Sequence, residues 1–134
     1  MKIGSPKEVM EGEARVALTP DSARQLQKLG HVCAVEAGAG LKAGFTDEAY
    51  RAADVEVLPD AAALFDAVEV VAKVRPPTEA EVDMLRQGQT LISFFYPAAN
   101  EDLMKRAAER GATVVAMDMV PRISRAQKMG ALSS

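Results

Sequence analysis

Three short runs constrain this chain more than anything else in it: VEVVAKV at 68–74, TLISFFY at 90–96 and ATVVAM at 112–117. Each is almost continuously apolar, without the strict alternation of a strand that has one wet face. Strands covered on both faces by helices read this way, and they are typical of parallel sheets. Further strand-like segments lie at 2–4, 32–36 and 55–58, and the six recur every twenty to thirty residues with helix-like sequence between most of them. The pattern predicts an α/β fold: a three-layer, open, mostly parallel, doubly wound sheet of Rossmann-like or flavodoxin-like kind.

The helix boundaries agree with this. Thr19-Pro20 reads as an N-cap followed by proline in the first turn, and Leu29-Gly30 as a stop. Thr46 can cap the next helix, with Asp47 and Glu48 in its first turn. Thr78 with Glu81 matches a capping box closed by Gln87-Gly88. Asn100 is expected to cap a helix whose Leu103, Met104, Ala107 and Ala108 face the core, ending at Gly111. The alanine-rich stretch 52–63 mixes strand residues and caps.

With 134 residues, 49% apolar and 26% charged, the chain suits a single packed domain. Its apolar stretches break within about eight residues, against the ~20 needed to span a bilayer. A net charge of -3 argues against a nucleic-acid partner. One cysteine, Cys33, cannot form an internal disulfide, and MKIGSPKE has no signal-peptide core, so the expected compartment is the cytoplasm.

Few residues offer chemistry. Gly38, Gly40 and Gly44 follow a strand, but their GxGxxxG spacing departs from the dinucleotide fingerprint, and Thr46 starts the helix after the cluster. A tight loop is expected there instead. His31 and Cys33 cannot close a four-ligand zinc site, and no metal is expected. Cys33 reads as a small core residue, and neither Ser93 nor Ser124 stands in a nucleophile elbow.

Two cations stand out. Lys73 lies inside an apolar strand, and Arg15 directly precedes a helix start. They can converge on a small carboxylate or phosphate, with Tyr96 rimming the same crevice; alternatively Lys73 ends at the sheet edge and pairs with an acid such as Glu8. At the other end of the chain, Arg122, Arg125 and Lys128 are three apart with no acid after Asp118. They form either a solvated helix face or an anion site beyond the last strand.

The segments MKIGSPKEVMEGEARVALTPDSARQLQKLGH, VEAGAG and GFTDEAY resemble the amino-terminal region of the family that joins alanine dehydrogenase with the alpha subunit of proton-translocating NAD(P) transhydrogenase. The segment SFFYPAANEDLMKRAAERGATVVAMDMVPRISRAQKMGALSS is similar to the transhydrogenase branch, with PRISRAQ the most distinctive part. The resemblance implies the first of two Rossmann-like domains, closed by returning carboxy-terminal helices. The second domain would hold NAD(H), and hydride would pass to NADP(H) on a beta subunit, coupled to proton movement through a membrane component. It further implies a homodimer of the full subunit, peripheral to the membrane on the cytoplasmic side. The chain reads as a piece ending before the NAD-holding domain, and inactive alone.

By the same resemblance, 1–118 forms the Rossmann-like domain, and 119–134 the nicotinamide-facing loop with the start of a connecting helix. The family's arginine falls on Arg122, its glutamine on Gln127 and a serine on Ser133; Ser124 and Arg125 in the same stretch are counted with them as cofactor-binding. None acts as acid or base, because hydride passes directly between cofactors. The acidic residue of the pattern falls on Gly130, which removes a carboxylate. Arg15 and Lys73 match the residues that hold substrate carboxylate in alanine dehydrogenases, whose acid–base histidine falls on Tyr96. A phenol with pKa near 10 replaces that group poorly, which disfavours the alternative of amino-acid oxidation. A non-catalytic α/β scaffold is the remaining alternative.

Overall fold

The computed structural model describes residues 1–118, excepting the side chains of 97–99. Six strands, β1 (Lys2–Ser5), β2 (Val32–Glu36), β3 (Glu56–Leu58), β4 (Val70–Ala72), β5 (Thr90–Ser93) and β6 (Thr113–Ala116), form one sheet in the order β3-β2-β1-β4-β5-β6. Every neighbouring pair is parallel. That is the Rossmann order rather than the flavodoxin one, and its direction reverses between β1 and β4. The helices are α1 (Pro20–Lys28), α2 (Asp47–Ala52), α3 (Ala61–Ala67), α4 (Glu79–Met84) and α5 (Pro97–Glu109).

Local chemistry explains most of the boundaries. Thr19 accepts from the Ser22 amide while Ser22 accepts from the Thr19 amide, so a capping box opens α1. Thr78 and Glu81 make the same reciprocal pair at α4, and Thr46 caps α2 through the Ala49 amide. Helix α3 was not separable from the alanine-rich stretch by periodicity; the Asp60 carboxylate starts it by accepting from the Ala63 amide. The expected helix start at Asn100 falls at the break between two helical pieces. Helix α5 begins at Pro97, and Asn100 sits at a kink inside it (φ -129°, ψ 23°), donating its side-chain amide to the Phe95 carbonyl at 2.7 Å. Ala107 is buried with Leu103 and Met104 packed beside it, whereas Ala108 is exposed.

Strand register divides the side chains between the two faces. Gly4 aligns with Ala34 and Val71, and Val71 with Leu91. This face packs against Leu64, Phe65, Val68, Val82 and Ala107. Gly4 is required there, because a Cβ would lie 2.7 Å from Val68 Cγ1 and 2.9 Å from Leu64 Cδ2. On the other face Cys33 and Val35 pack with Val16, Leu18, Ala23 and Tyr50 around α1 and α2. Cys33 is fully buried, as expected, and burial pushes its thiol up. Farther along that face, Ala72, Ile92 and Val115 of β4, β5 and β6 are only half-buried, and Phe94 and Met117 just beyond the strand ends are exposed.

The glycine cluster is a tight loop. Gly38 (φ +80°) and Gly44 (φ +90°) flank a 3-10 turn at Leu41–Ala43, and Gly40 packs on the Tyr50 ring, where a Cβ would come within 2.6 Å. The Tyr50 hydroxyl donates to the Leu18 carbonyl at 2.8 Å. Burial first, then the Asp47 charge, pushes this phenol up to about 12.

Two outcomes follow. Gly4→Ala should cost about 1–3 kcal/mol in denaturant unfolding, as overpacking does; an unchanged midpoint would contradict the packing described. A phenol raised on folding contributes stability that is present below its ordinary value near 10 and is lost as pH rises through about 12. Tyrosinate absorbance and far-UV dichroism followed together should show one phenol ionising with loss of the fold. Ionisation of the Tyr50 phenol near pH 10 with the fold intact would count against it.

Candidate functional site

Ligands of open α/β sheets sit outside the carboxyl ends of the strands where the strand order reverses. In this chain that place is ringed by charge. The loop after β1 brings Glu8, Glu13 and Arg15, and the loop after β4 brings Lys73 and Arg75.

Lys73 is buried to 1% side-chain exposure, with Glu8 at 3.0 Å and Glu81 of α4 at 3.4 Å. Both carboxylates are nearly as buried as the lysine. Glu8 is bonded further: one oxygen accepts from the Val74 amide at 2.7 Å and the other from the Arg75 amide at 3.2 Å. Backbone that β5 no longer pairs is satisfied in this way, just before Pro76-Pro77. The pairing of Lys73 with Glu8 agrees with the second sequence reading. Its location does not, since β4 is an inner strand rather than the sheet edge.

Glu13 forms a second cluster. It receives a two-pronged contact from Arg15, at 2.9 Å from both Nε and Nη2, and Arg75 Nε lies 2.7 Å away. The Arg15 bonds first, then Arg75, hold its carboxyl well below the usual carboxylate range. Glu13 in turn raises the Arg15 guanidinium, and the Tyr96 phenol adds to the same field. The space among Lys7, Glu8, Glu13, Arg15 and Lys42 is only about 10 Å³, roughly what one water occupies.

Tyr96 follows β5 with a left-handed backbone (φ +50°) and is 46% exposed. Arg15 and Tyr96 lie close enough to interact, whereas Lys73 is walled in by two glutamates rather than offered to solvent. Sequence reasoning missed Glu13, Arg75 and Asp118. Asp118 accepts from the Phe95 amide at 3.1 Å and the Tyr96 amide at 2.8 Å. The acidic spacing in EVMEGEAR was a legible signal for Glu13; nothing local marked Asp118. The expected site residues Arg122, Ser124, Arg125, Gln127 and Ser133 lie outside the described residues.

A parallel sheet in Rossmann order, with a charge-compensated switch point and no phosphate-binding glycine turn after β1, defines a Rossmann-like domain without the dinucleotide fingerprint. The family model for the N-terminal domain of alanine dehydrogenase/PNT matches residues 4–134, and the chain belongs to that family. Over all 134 residues it is 72% identical to the NAD(P) transhydrogenase subunit alpha of Cereibacter sphaeroides, and it spans 26% of that protein's length. The alanine dehydrogenase of Halomonas elongata is 43% identical over 120 residues, covering 90% of this chain and 32% of that one. Among solved structures, a transhydrogenase from Sinorhizobium meliloti superposes with a TM-score of 0.85 at 36% identity, covering 95% of this chain and 38% of that one. No helix among the described residues is long and apolar enough to cross a membrane.

The depressed Glu13 carboxyl has a consequence for acid stability. A group lowered on folding contributes stability that is present above its ordinary value near 4.3 and is lost as pH falls toward the folded value. Glu13→Gln should therefore lower the melting temperature near neutral pH but flatten its decline below about pH 4. Parallel melting curves for the two proteins down to about pH 3 would contradict the assignment.

Proposed function

We propose that this chain is the amino-terminal domain of the alpha subunit of NAD(P) transhydrogenase and supplies one wall of the crevice in which the nicotinamide of NAD(H) is presented. The observation that carries the reading is the rim itself: an exposed Tyr96 beside Arg15 at the switch point, in a chain 72% identical throughout to a transhydrogenase alpha subunit.

The residues present fit one end of the cofactor and not the other. The loop after β1 carries Glu8 and Glu13 where a pyrophosphate needs donors, so this switch point does not fit the dinucleotide's phosphates. That role belongs to a second domain of the same subunit. The rim fits the nicotinamide end, whose ring supplies the hydride chemistry when bound. Arg122, Gln127 and Ser133, with Ser124 and Arg125, would hold and orient it. The covalent chain keeps Arg122 within roughly 14 Å of Asp118. Fixed polar groups of this sort set orientation and distance, which is most of what direct hydride transfer asks of a protein.

On this reading 1–118 is the packed unit, and 119–134 is the nicotinamide-facing loop with the start of a connecting helix. NADP(H) sits on the beta subunit, beside a membrane component, and the full alpha subunit is a homodimer on the cytoplasmic face. The half-buried sheet face at Ala72, Ile92 and Val115 supports cover by later parts of a subunit of which this chain spans about a quarter. The alanine dehydrogenase reading has less support, because Lys73 is closed off by Glu8 and Glu81 and a tyrosine stands at the rim.

An amide NMR titration with NADH, using ADP-ribose as the control that lacks nicotinamide, tests the proposal. Shifts around Arg15, Tyr96, Arg122, Gln127 and Ser133 are expected with NADH alone. Identical responses to both ligands, or none at about millimolar concentration (a Kd weaker than roughly 4 kcal/mol of binding), would contradict it. In a chimera carrying this chain in place of the matching residues of the Cereibacter sphaeroides subunit, assembled with its beta subunit, Gly130→Asp should raise the hydride-transfer rate. The carboxylate restores a polar contact, and removing glycine stiffens any helical segment there by about 1 kcal/mol. Equal rates would contradict the weakening assigned to Gly130.

A further inference from the structure

The turn between β5 and α5 is held by a side chain from elsewhere. Tyr96 adopts φ +50°, ψ 67°, a conformation disfavoured for a residue with a Cβ. Such a residue persists only where its surroundings over-determine it. Three hydrogen bonds from two side chains do so. The Asp118 carboxylate spans two consecutive amides, Oδ1 to Phe95 at 3.1 Å and Oδ2 to Tyr96 at 2.8 Å. From the other side, Asn100 donates to the Phe95 carbonyl.

Asp118 reaches this turn because β6 is registered on β5. Ala116 pairs with Ser93, and the Met117 amide donates to the Ser93 carbonyl at 2.9 Å. The fold has independent anchors nearby, since Phe95 is fully buried in the core. What the carboxylate adds is the local conformation of Tyr96, and so the place of its phenol in the field of Arg15.

We propose that Asp118 is a positioning residue: it latches Tyr96 in the left-handed conformation and keeps its phenol beside Arg15 at the crevice rim. The same residue immediately precedes segment 119–134 in the sequence. Resting on the nicotinamide-facing reading above, the latch sets how the rim meets the cofactor without touching it.

The test compares Asp118→Ala with Asp118→Asn, which retains one acceptor oxygen and no charge, in this chain. Amide hydrogen exchange at Phe95 and Tyr96, the Arg15 Nε–H resonance and the Tyr96 ring resonances are read together. Asp118→Ala should speed exchange of the two amides at least tenfold and move the Arg15 and Tyr96 side-chain signals, while unfolding stays cooperative. Asp118→Asn should fall between it and the parent. Unmoved Arg15 and Tyr96 signals in a folded variant would overturn the latch. So would loss of the fold in both variants, since Asp118 would then be holding the domain rather than the turn. In the chimera, Asp118→Ala should weaken NADH binding about tenfold, equivalent to 1.4 kcal/mol. Moved side-chain signals with unchanged NADH affinity would leave the latch standing and overturn its link to the cofactor. A parent chain without any NADH response would count against the functional reading alone.

Discussion

A lysine with almost no exposure, set between two buried glutamates at the point where the sheet changes direction, governs the shape of this domain. Isolated, any of these charges would be costly to bury; together Glu8, Lys73 and Glu81 offset much of one another's desolvation. The cluster joins three pieces of chain distant in sequence: the loop after β1, the end of β4 and the first turn of α4. Glu8 also satisfies two amides where β4 loses its neighbour, and Glu81 closes the capping box of α4 with its other oxygen. Removing one member would release a loop, a strand end and a helix start at once.

Around that centre the crevice is balanced in charge. Arg15, Lys73 and Arg75 face Glu8, Glu13 and Glu81, and the arginines share one carboxylate. A site so compensated presents a shaped, polar wall rather than a strong anion trap. The role proposed above, orienting the ring of a cofactor held elsewhere, fits such a wall better than capture of a free carboxylate substrate does. Tyr96, exposed and conformationally constrained, and Arg15, also exposed, are the parts of the wall that face outward.

Much of this was legible because it depends on local rules. The continuously apolar strands gave a parallel α/β sheet, and the threonine caps at 19, 46 and 78 were readable from side chains three residues apart. Lys73 announced itself as a charge in an apolar run, and an acid such as Glu8 could be named as its partner. What stayed hidden depends on distance in sequence. The contact of Asp118 with the Tyr96 turn spans 22 residues, and that of Arg75 with Glu13 spans 62. Asn100 has the composition of a cap but serves a carbonyl behind it. Helix α3 was masked by alanines that suit strand margins and helices alike, until Asp60 is seen to cap it.

The claim on which the account rests is that Lys73 is committed to the buried ion cluster rather than kept free for a ligand. A double-mutant cycle with Glu8→Gln and Lys73→Met, read by equilibrium denaturation, tests it most directly. Lys73→Met should cost about 3–5 kcal/mol by stranding two buried carboxylates, and Glu8→Gln, which leaves Lys73 paired with Glu81, should cost less. The double substitution should cost less than their sum by about 2 kcal/mol or more. Additive losses, or a Lys73→Met protein as stable as the parent, would contradict the account.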